Sequence, residues 1–480
     1  MKKPAISSLF LYRHRYVIGY TLLALAFFAI IFFFPLITPN GLSQSEMQSA
    51  STSYNTSWDS FLSGDIIDLP YRLLQKTSIS LFGLSVYTVK LPSIILGAIL
   101  GLILVLLLNR WFKNNVAILA SILIVLSSSF LYLAGSGTPL IMIVFWPTLL
   151  LWLGSKIQGV YRPKPHYCFV FAFALLLSVF TPYMPYLVIF VLAYALIHPH
   201  LRFAIKHLPK VPFIISALFC LVGSGLLLFS LFQNPINFTT LLFTPEFSLD
   251  KFFANLQTAF LPFFSWNGSV EGIYLAPLIG LSSFALALTG LISTTKGFFA
   301  SRNSIASCLI IFTIFIAGLN PNYAMLIILP FSILIAHGIR YILEKWYGLF
   351  PENPYARIFG LIPISLLLGL IIFSDISHFI FGYRYNPSVA NYFNDDLSLV
   401  RKNLEHSTLL IPLNAPEYDF YKILEKQHFL TVENTTPDQG DEVASLGRWP
   451  NRSNLTLKRI ITSSKSSNSD RIYIYTVNKQ

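Results

Sequence analysis

Between residues 39 and 90 the chain gathers side chains suited to acid–base and phosphate chemistry. Glu46 is the single charge in "NGLSQSEMQSASTS"; Asp59, Asp65 and Asp68 follow it, then the cations Arg72, Lys76 and Lys90. A carboxylate takes the proton from an attacking hydroxyl, and cations neutralise charge growing on a departing phosphate. Scattered charges of this kind also suit a plain solvated loop. What distinguishes the two readings is where the segment sits. It follows directly on an oily block that ends "FFAIIFFFPLIT".

That block is one of many. Of the 480 residues, 54% are hydrophobic and only 11% charged, with a mean hydropathy of +0.63, a balance that leaves too little polar surface to cover a water-soluble domain. A bilayer core takes about 20 apolar residues per helix, and the sequence predicts about eleven such spans, near 17–38, 91–109, 115–134, 138–155, 167–180, 183–198, 211–232, 272–294, 304–319, 323–340 and 358–382. The first is too long for a signal-peptide core and lacks a small-residue cleavage site, so it is expected to remain as an anchor. With a cytoplasmic N-terminus, the connections facing inward hold most of the lysines and arginines, and Glu344 and Glu352 are their only acids. This is the positive-inside asymmetry, so the net charge of +12 reports topology in the cytoplasmic membrane and not nucleic-acid binding. Cys168, Cys220 and Cys308 lie far apart inside apolar runs and read as packing residues.

The expected class is therefore an all-α polytopic membrane protein, N-terminus in and C-terminus out, with a transmembrane domain over 1–382. Two extracytoplasmic loops, 39–90 and 233–271, are long enough to carry function. Each shows helical amphipathicity suited to the membrane interface, the first through "LPYRLLQKTSISLF" with Arg72 and Lys76 off its apolar face. The prolines of "TPYMP" should break the apolar run between His166 and His198. Gly97 and Gly101 should let their helix pack closely against neighbours. From 383 to 480 the composition turns polar, and "STLLIPLNA", "HFLTVEN", "LTLKRIITSS" and "RIYIYTVN" read as strands of a small extracytoplasmic α/β or β domain, preceded by a helix in "YFNDDLSLVRKNLEHS".

The order of these features resembles the GT-C glycosyltransferases of the protein mannosyltransferase and aminoarabinose transferase type. In "LSQSEMQSA" Ser45 stands where that family's catalytic Asp usually is, with Glu46 in the second acidic place and Ala50 at the end. Pro70 in "DLPYRLLQ" falls on a family proline; "FGLSVYTVKLPS" keeps Phe82, Gly83, Leu91, Pro92 and Ser93, with Lys90 for the usual Arg. In "NPNYAMLIILPFSILIAHGIRYI" Tyr323 and Pro330 fit a late helix, while Asn322 replaces an Arg. The resemblance implies transfer of a sugar from a polyprenyl-phosphate donor to a protein, lipid or envelope glycan at the outer face of the membrane. With Ser45 in place of the Asp, it implies that Glu46 is the catalytic base, or that another acid such as Asp65 substitutes, or that the protein is inactive; with Asn322 in place of the Arg, Arg72 or Lys76 would be the donor-phosphate partner. Asp68, Glu246 and Asp250 are the loop residues that could serve the acceptor, with Glu271 beside them.

Other ionisable residues are weaker candidates. Asp375 and His378 share a helix face, and His337 lies alone in an apolar stretch. The sequence holds no P-loop, dinucleotide-binding glycine set, HExxH or CxxC motif, so no cofactor is expected, and the acids are not spaced as ligands for a divalent metal. Two other readings use the same features. One is a lipid or solute transporter, which would want paired charges within spans and a repeat between halves; the other is a non-catalytic assembly protein acting through its tail.

Overall fold

The computed structural model describes residues 14–37, 41–57, 59, 63–158, 165–197, 199–206, 209–242, 248–264, 280–295, 300–349, 354–385, 392–434, 442–449, 455–462 and 471–477. Helix α1 (Arg15–Ile37) is apolar all round and presents Val17, Leu22, Leu25 and Phe33 on its outside, as a helix solvated by lipid tails does. A two-residue strand β1 (Leu42–Ser43) leads into α2 (Gln44–Asn55), followed by α3 (Leu69–Phe82) and α4 (Val86–Trp111). Then come α5 (Asn114–Val125), α6 (Ser128–Gly135), a 3-10 turn at Pro139–Ile141, and α7 (Met142–Gln158). The chain continues through α8 (Pro165–Ser178), α9 (Met184–Ile197), α10 (Pro199–Lys206), α11 (Lys210–Gln233), α12 (Pro235–Leu242) and α13 (Leu249–Phe264). Helices α14 (Leu281–Thr295), α15 (Ser301–Leu319), α16 (Ile328–Leu349) and α17 (Pro354–Tyr385) complete the helical part, with a 3-10 turn at Pro321–Ile327 before α16.

Among the described residues, seven helices are long and apolar enough to cross a membrane. An eighth span results if α5 and α6, bent by 63° at their junction, count as one. The three other expected spans correspond to shorter apolar helices, α8, α9 and α14. The run containing "TPYMP" does break, between α8 and α9, and Tyr183 there takes a left-handed backbone with φ 62. Helix α4 begins five residues before the expected boundary because Ser85 and Thr88 form a reciprocal capping box at its start. Gly97 and Gly101 lie where a Cβ would meet Ala134 at 2.6 Å and Val125 at 3.3 Å, so their missing side chains set how closely α6 and α5 approach α4.

Helix α3 places Leu73, Leu74, Leu81 and Phe82 on its exposed side and Tyr71, Gln75, Ser78 and Ile79 on its buried side. An exposed apolar stripe on a short helix is what an interfacial element offers to lipid. The polar buried stripe means that α3 is held to the protein by hydrogen bonds as much as by packing.

The tail folds as a mixed sheet with helices. It comprises β2 (Phe393–Asn394), α18 (Asp396–Asn403), β3 (Thr408–Leu410), α19 (Tyr418–Lys426), β4 (Thr431–Glu433), β5 (Glu442–Ser445), β6 (Leu455–Thr462) and β7 (Arg471–Val477). The five-stranded sheet runs β4-β3-β5-β7-β6, with β3 parallel to β4 and β5, and β7 antiparallel to β5 and β6. All four expected strand segments are present, while β5 and α19 fall in stretches with no strong pattern.

The tail and the first loop share one hydrophobic core. Leu42, Met47, Ala50, Ile79, Leu84 and Val89 from the loop side pack with Leu397, Val400, Phe420, Tyr421, Ile423 and Ile474 of the tail. Leu42–Ser43 also pairs antiparallel with Phe393–Asn394. Polar ties reinforce the contact: Lys426 Nζ donates to Asn55 Oδ1 at 2.8 Å, Arg401 to the Leu84 carbonyl at 2.9 Å, and the Leu84 amide to Gln427 Oε1 at 3.0 Å. Burying an apolar side chain contributes about 1.5–3 kcal/mol, so the tail is a structural half of the loop's own core.

Candidate functional site

The site is built around α2. Ser43 caps the helix, its Oγ accepting from the Glu46 amide at 3.2 Å while Glu46 Oε2 accepts from the Ser43 amide at 2.9 Å. This reciprocal box fixes the helix phase. Successive residues turn by about 100°, so α2 divides into two faces. Ser45, Gln48, Ser49 and Thr52, at i, i+3, i+4 and i+7, line a cavity of about 360 Å³. Glu46, Ala50 and Ser53 point the other way and are buried.

Glu46 therefore does not occupy the place expected of it. It is 2% exposed, and its Oε1 accepts from the Gly137 amide at 2.6 Å and lies 4.0 Å from Nζ of the fully buried Lys90. Both carboxylate oxygens are used in holding the start of α2 to α4 and to the turn after α6. The Gly137 backbone comes this close because it has no side chain: a Cβ there would meet Val89 at 2.8 Å. Glu46 is not among the residues lining the cavity, and its neighbour Ser45 is.

Gln75 completes this scaffold. Fully buried on α3, it accepts from Ser49 Oγ at 3.0 Å and Ser53 Oγ at 2.7 Å, and donates to the carbonyls of Val89 at 3.0 Å and Gly137 at 2.8 Å. A buried amide with both ends satisfied joins α2, α3, α4 and the Gly137 turn into one unit. Tyr71, one turn away, bonds Ser93 Oγ at 2.8 Å, and burial raises its phenol pKa.

The charged wall of the cavity comes from the start of α3. Asp68 has a left-handed backbone, φ 54, at the position that would cap α3, yet its side chain makes no capping bond. Its amide donates to the Phe180 carbonyl at 2.8 Å, which ties this strained residue to the α8–α9 break. Strain of this sort persists where surrounding structure enforces it and clusters at functional sites. Oδ1 of Asp68 is buried and accepts no hydrogen bond among the described residues. Burial pushes the Asp68 carboxyl up to about 7, against the pull of Arg72. Arg72, one turn along α3, lines the same cavity and donates to Asp65 Oδ1 at 2.6 Å.

The remaining wall is assembled from distant segments. Ser136 and Thr138 come from the turn after α6, Thr181 from the α8–α9 break, and Asn320, Asn322 and Tyr323 from the 3-10 turn before α16. Tyr323 is held edge-on against Tyr183 with ring centres 4.8 Å apart, and Tyr132, also lining, stacks on Tyr383 at 5.3 Å. Sequence reading singled out Asn322 and Tyr323 but not Asn320, Ser136, Thr138 or Thr181. The signal for Asn320 was available, as "NPNY" interrupts a long apolar run.

Of the other expected site residues, Asp65 reaches the cavity only through Arg72. Lys76 donates to the Thr56 carbonyl at the end of α2 and does not line the cavity; a cation there satisfies a helix C-terminus, which corrects its expected place beside a phosphate. Asp250 lies exposed in the first turn of α13, apart from the cavity. Glu246 and Glu271 lie outside the described residues. Asp375 packs against Gly280 at the start of α14, and His337 meets the Phe112 ring edge-on at 4.8 Å; neither lines the cavity. Among the described residues no three His, Cys, Asp or Glu side chains come together to hold a metal ion.

Two apolar grooves accompany the cavity. One, about 270 Å³, is lined by Phe260, Phe284, Leu291, Ile314, Ile327 and Phe331, and Ile327 ends the same 3-10 turn whose Asn322 and Tyr323 line the polar cavity. The other, about 620 Å³, lies between α1 and α4 around Phe32, Phe33, Leu91 and Ile94; neither groove shares a lining residue with the polar cavity.

Residues 70–228 match the family described as dolichyl-phosphate-mannose-protein mannosyltransferase. The whole architecture superposes on ArnT from Cupriavidus metallidurans in its undecaprenyl phosphate-bound form, with a TM-score of 0.53 at 12% identity, covering 96% of this chain and 98% of that one. This chain has the GT-C fold. The same GT-C arrangement superposes on the Archaeoglobus fulgidus oligosaccharyltransferase AglB, solved with an inhibitory peptide and a dolichol-phosphate, with a TM-score of 0.51 at 13% identity, covering 89% of this chain and 65% of AglB. No curated protein sequence matches this chain.

Proposed function

We propose that this chain is an integral membrane glycosyltransferase that moves a sugar from a polyprenyl-phosphate carrier to an acceptor hydroxyl or amide on a protein, lipid or envelope glycan. The observation that carries the reading is a 3-10 turn that lends residues to two different environments. Asn322 and Tyr323 line a polar cavity with Asp68 and Arg72, while Ile327 at the end of the same turn lines an apolar groove. A lipid-linked phosphate needs such a pair, a wet chamber for its head beside a dry channel for its chain. The similar structures of ArnT and AglB hold undecaprenyl phosphate and a dolichol-phosphate as ligands of those proteins, which supports the same donor class.

In this reading Asp68 replaces Glu46 as the base. Ionised, its carboxylate accepts the acceptor's proton; the acceptor oxygen or nitrogen bonds to the anomeric carbon as the bond from that carbon to the phosphate oxygen breaks. The electron pair leaves with the lipid phosphate, whose charge Arg72 neutralises. A single displacement inverts the anomeric centre. A carboxyl titrating near 7 suits the task, because a base works best when its pKa lies close to the working pH. The energy for transfer resides in the sugar–phosphate bond, so the reaction asks for no nucleotide. We place the reaction at the outer face of the cytoplasmic membrane, with the N-terminus inside and the tail, residues 383–480, outside above the transmembrane domain of 1–382, on the charge asymmetry of the connections.

The test is transfer by the full chain in lipid nanodiscs supplied with radiolabelled polyprenyl-phosphate sugars and an envelope fraction as acceptor. Label should move to the acceptor and lipid phosphate should accumulate. Absence of transfer from every donor, with native-like thermal unfolding of the same sample, overturns the reading in favour of an assembly role for the tail.

A further inference from the structure

Between Asp68 and Glu246 the sequence holds no Asp or Glu. Helix α10 (Pro199–Lys206) lies within that stretch and joins α9 to α11. Both neighbours turn apolar side chains outward right up to the junction: Ile197 at the end of α9 is 79% exposed and Val211 at the start of α11 is 68% exposed. Side chains so exposed on apolar helices are covered by lipid tails, which sets α10 at the depth where tails give way to headgroups.

Arg202 and Lys206, four residues apart, share one face of α10. Phe203 and Ile205 fall about 100° and 60° to either side of Arg202. All four are exposed, and so is Lys210 at the start of α11. Among the described residues, Arg202, Lys206 and Lys210 make no hydrogen bond or ion pair. Cations elsewhere on the inward connections have protein partners. Arg302 donates to the Trp111 carbonyl at 2.8 Å, Arg340 donates to Glu344 at 2.6 Å, and Lys156 Nζ lies 5.9 Å from the centre of the Trp152 ring.

The positive-inside asymmetry accounts for cations on an inward connection but not for exposed apolar side chains set among them. A short helix carrying both suits a membrane surface, its apolar groups entering the acyl boundary while its Arg and Lys stay at the level of the phosphates. A zwitterionic headgroup brings an ammonium along with its phosphate, and the connection from Ile197 to Val211 offers that ammonium no carboxylate. A headgroup of net negative charge meets no such mismatch.

We infer that α10 is an inner-leaflet docking element selective for anionic phospholipids, with Arg202, Lys206 and Lys210 meeting headgroup phosphates and Phe203 and Ile205 seated in the acyl boundary. This role rests on the orientation proposed for the chain and not on the transfer reaction.

Native mass spectrometry of the full chain, titrated with phosphatidylglycerol or phosphatidylcholine, measures the preference. A Lys or Arg near an anionic surface is worth about fivefold in binding, so the three together should favour phosphatidylglycerol by at least about tenfold. The combined Arg202→Gln, Lys206→Gln, Lys210→Gln variant should lose most of that preference. The combined Arg110→Gln, Lys113→Gln, Lys345→Gln variant removes the same charge from other inward connections and should keep it within about twofold. Separately, Phe203→Trp should add emission that lipids brominated high on the acyl chain quench. Equal affinity for the two lipids overturns the inference, and so does an equal loss in both triple variants, which marks the preference as diffuse charge of the inner face. Emission at position 203 that brominated lipid leaves untouched also overturns it, in favour of an acidic protein as the partner. In right-side-out membrane vesicles, Lys206 and Lys210 should react with an impermeant amine reagent only after permeabilisation; reaction in sealed vesicles overturns the orientation, and the inner-leaflet role with it.

Discussion

Replacing Asp68 by asparagine should slow transfer by orders of magnitude and at the same time make the protein more stable at alkaline pH. The two effects have one cause. Asp68 is held in a left-handed turn with Oδ1 buried and without a hydrogen-bond donor among the described residues, so its carboxyl ionises only near 7 instead of 3.8. An unfolded chain ionises this group from pH 3.8 upward, whereas the folded one retains the proton until about 7. Within that window the native state binds more protons than the unfolded state, so stability falls as pH rises and levels off above 7. At about 1.4 kcal/mol per pKa unit, the ionised side chain costs the fold on the order of 4 kcal/mol at pH 8. Asparagine carries no such penalty. The wild type should thus lose thermal stability between about pH 4 and 7, and Asp68→Asn should flatten that slope, read as unfolding temperature in detergent or nanodiscs. Transfer should fall about 10²–10⁴-fold in the variant, the usual worth of a positioned base, and wild-type kcat/KM should rise with pH to a plateau above about 7. A variant with near-normal turnover, or one whose stability keeps the wild-type pH slope, refutes the assignment.

Glu46→Ala should act on folding instead of chemistry. It strips the acceptors from the Ser43 and Gly137 amides and removes the Glu46 carboxylate from buried Lys90, a loss of about 3–5 kcal/mol to be seen as a lowered unfolding temperature. Asp65→Asn should free Arg72 from its 2.6 Å partner; donor KM should drop about twofold to fivefold, the worth of a half-exposed ion pair, with kcat unchanged in a donor titration. Phe420→Ala opens the core that the tail shares with the first loop, costing about 3–5 kcal/mol, and limited proteolysis should then cut the 41–57 segment faster than in the wild type.

Much of the architecture was legible along the chain because its cause is local. A helix that spans lipid must be apolar over about 20 consecutive residues, and α1, α4, α11 and α17 announce themselves by composition alone. The charge asymmetry of the connections, the break at "TPYMP" and the strands β6 and β7 are equally short-range signals. The segment 39–90 stood out as the place for chemistry because polar and ionisable residues there follow directly on an oily block. Which of its carboxylates faces the chamber was not legible. Ser45 and Glu46 are neighbours, and a rotation of about 100° sends one into the cavity and the other into the core; the capping box and the Gly137 amide, 91 residues away, set that rotation. The rest of the chamber is non-local in the same sense, since Thr138, Thr181 and Asn320 meet only after α4, α7 and α16 have packed. Packing between distant segments also made the tail part of the loop's core. Hydrophobic periodicity along a chain carries which residues are buried, but the partner that buries them is decided only in the folded molecule.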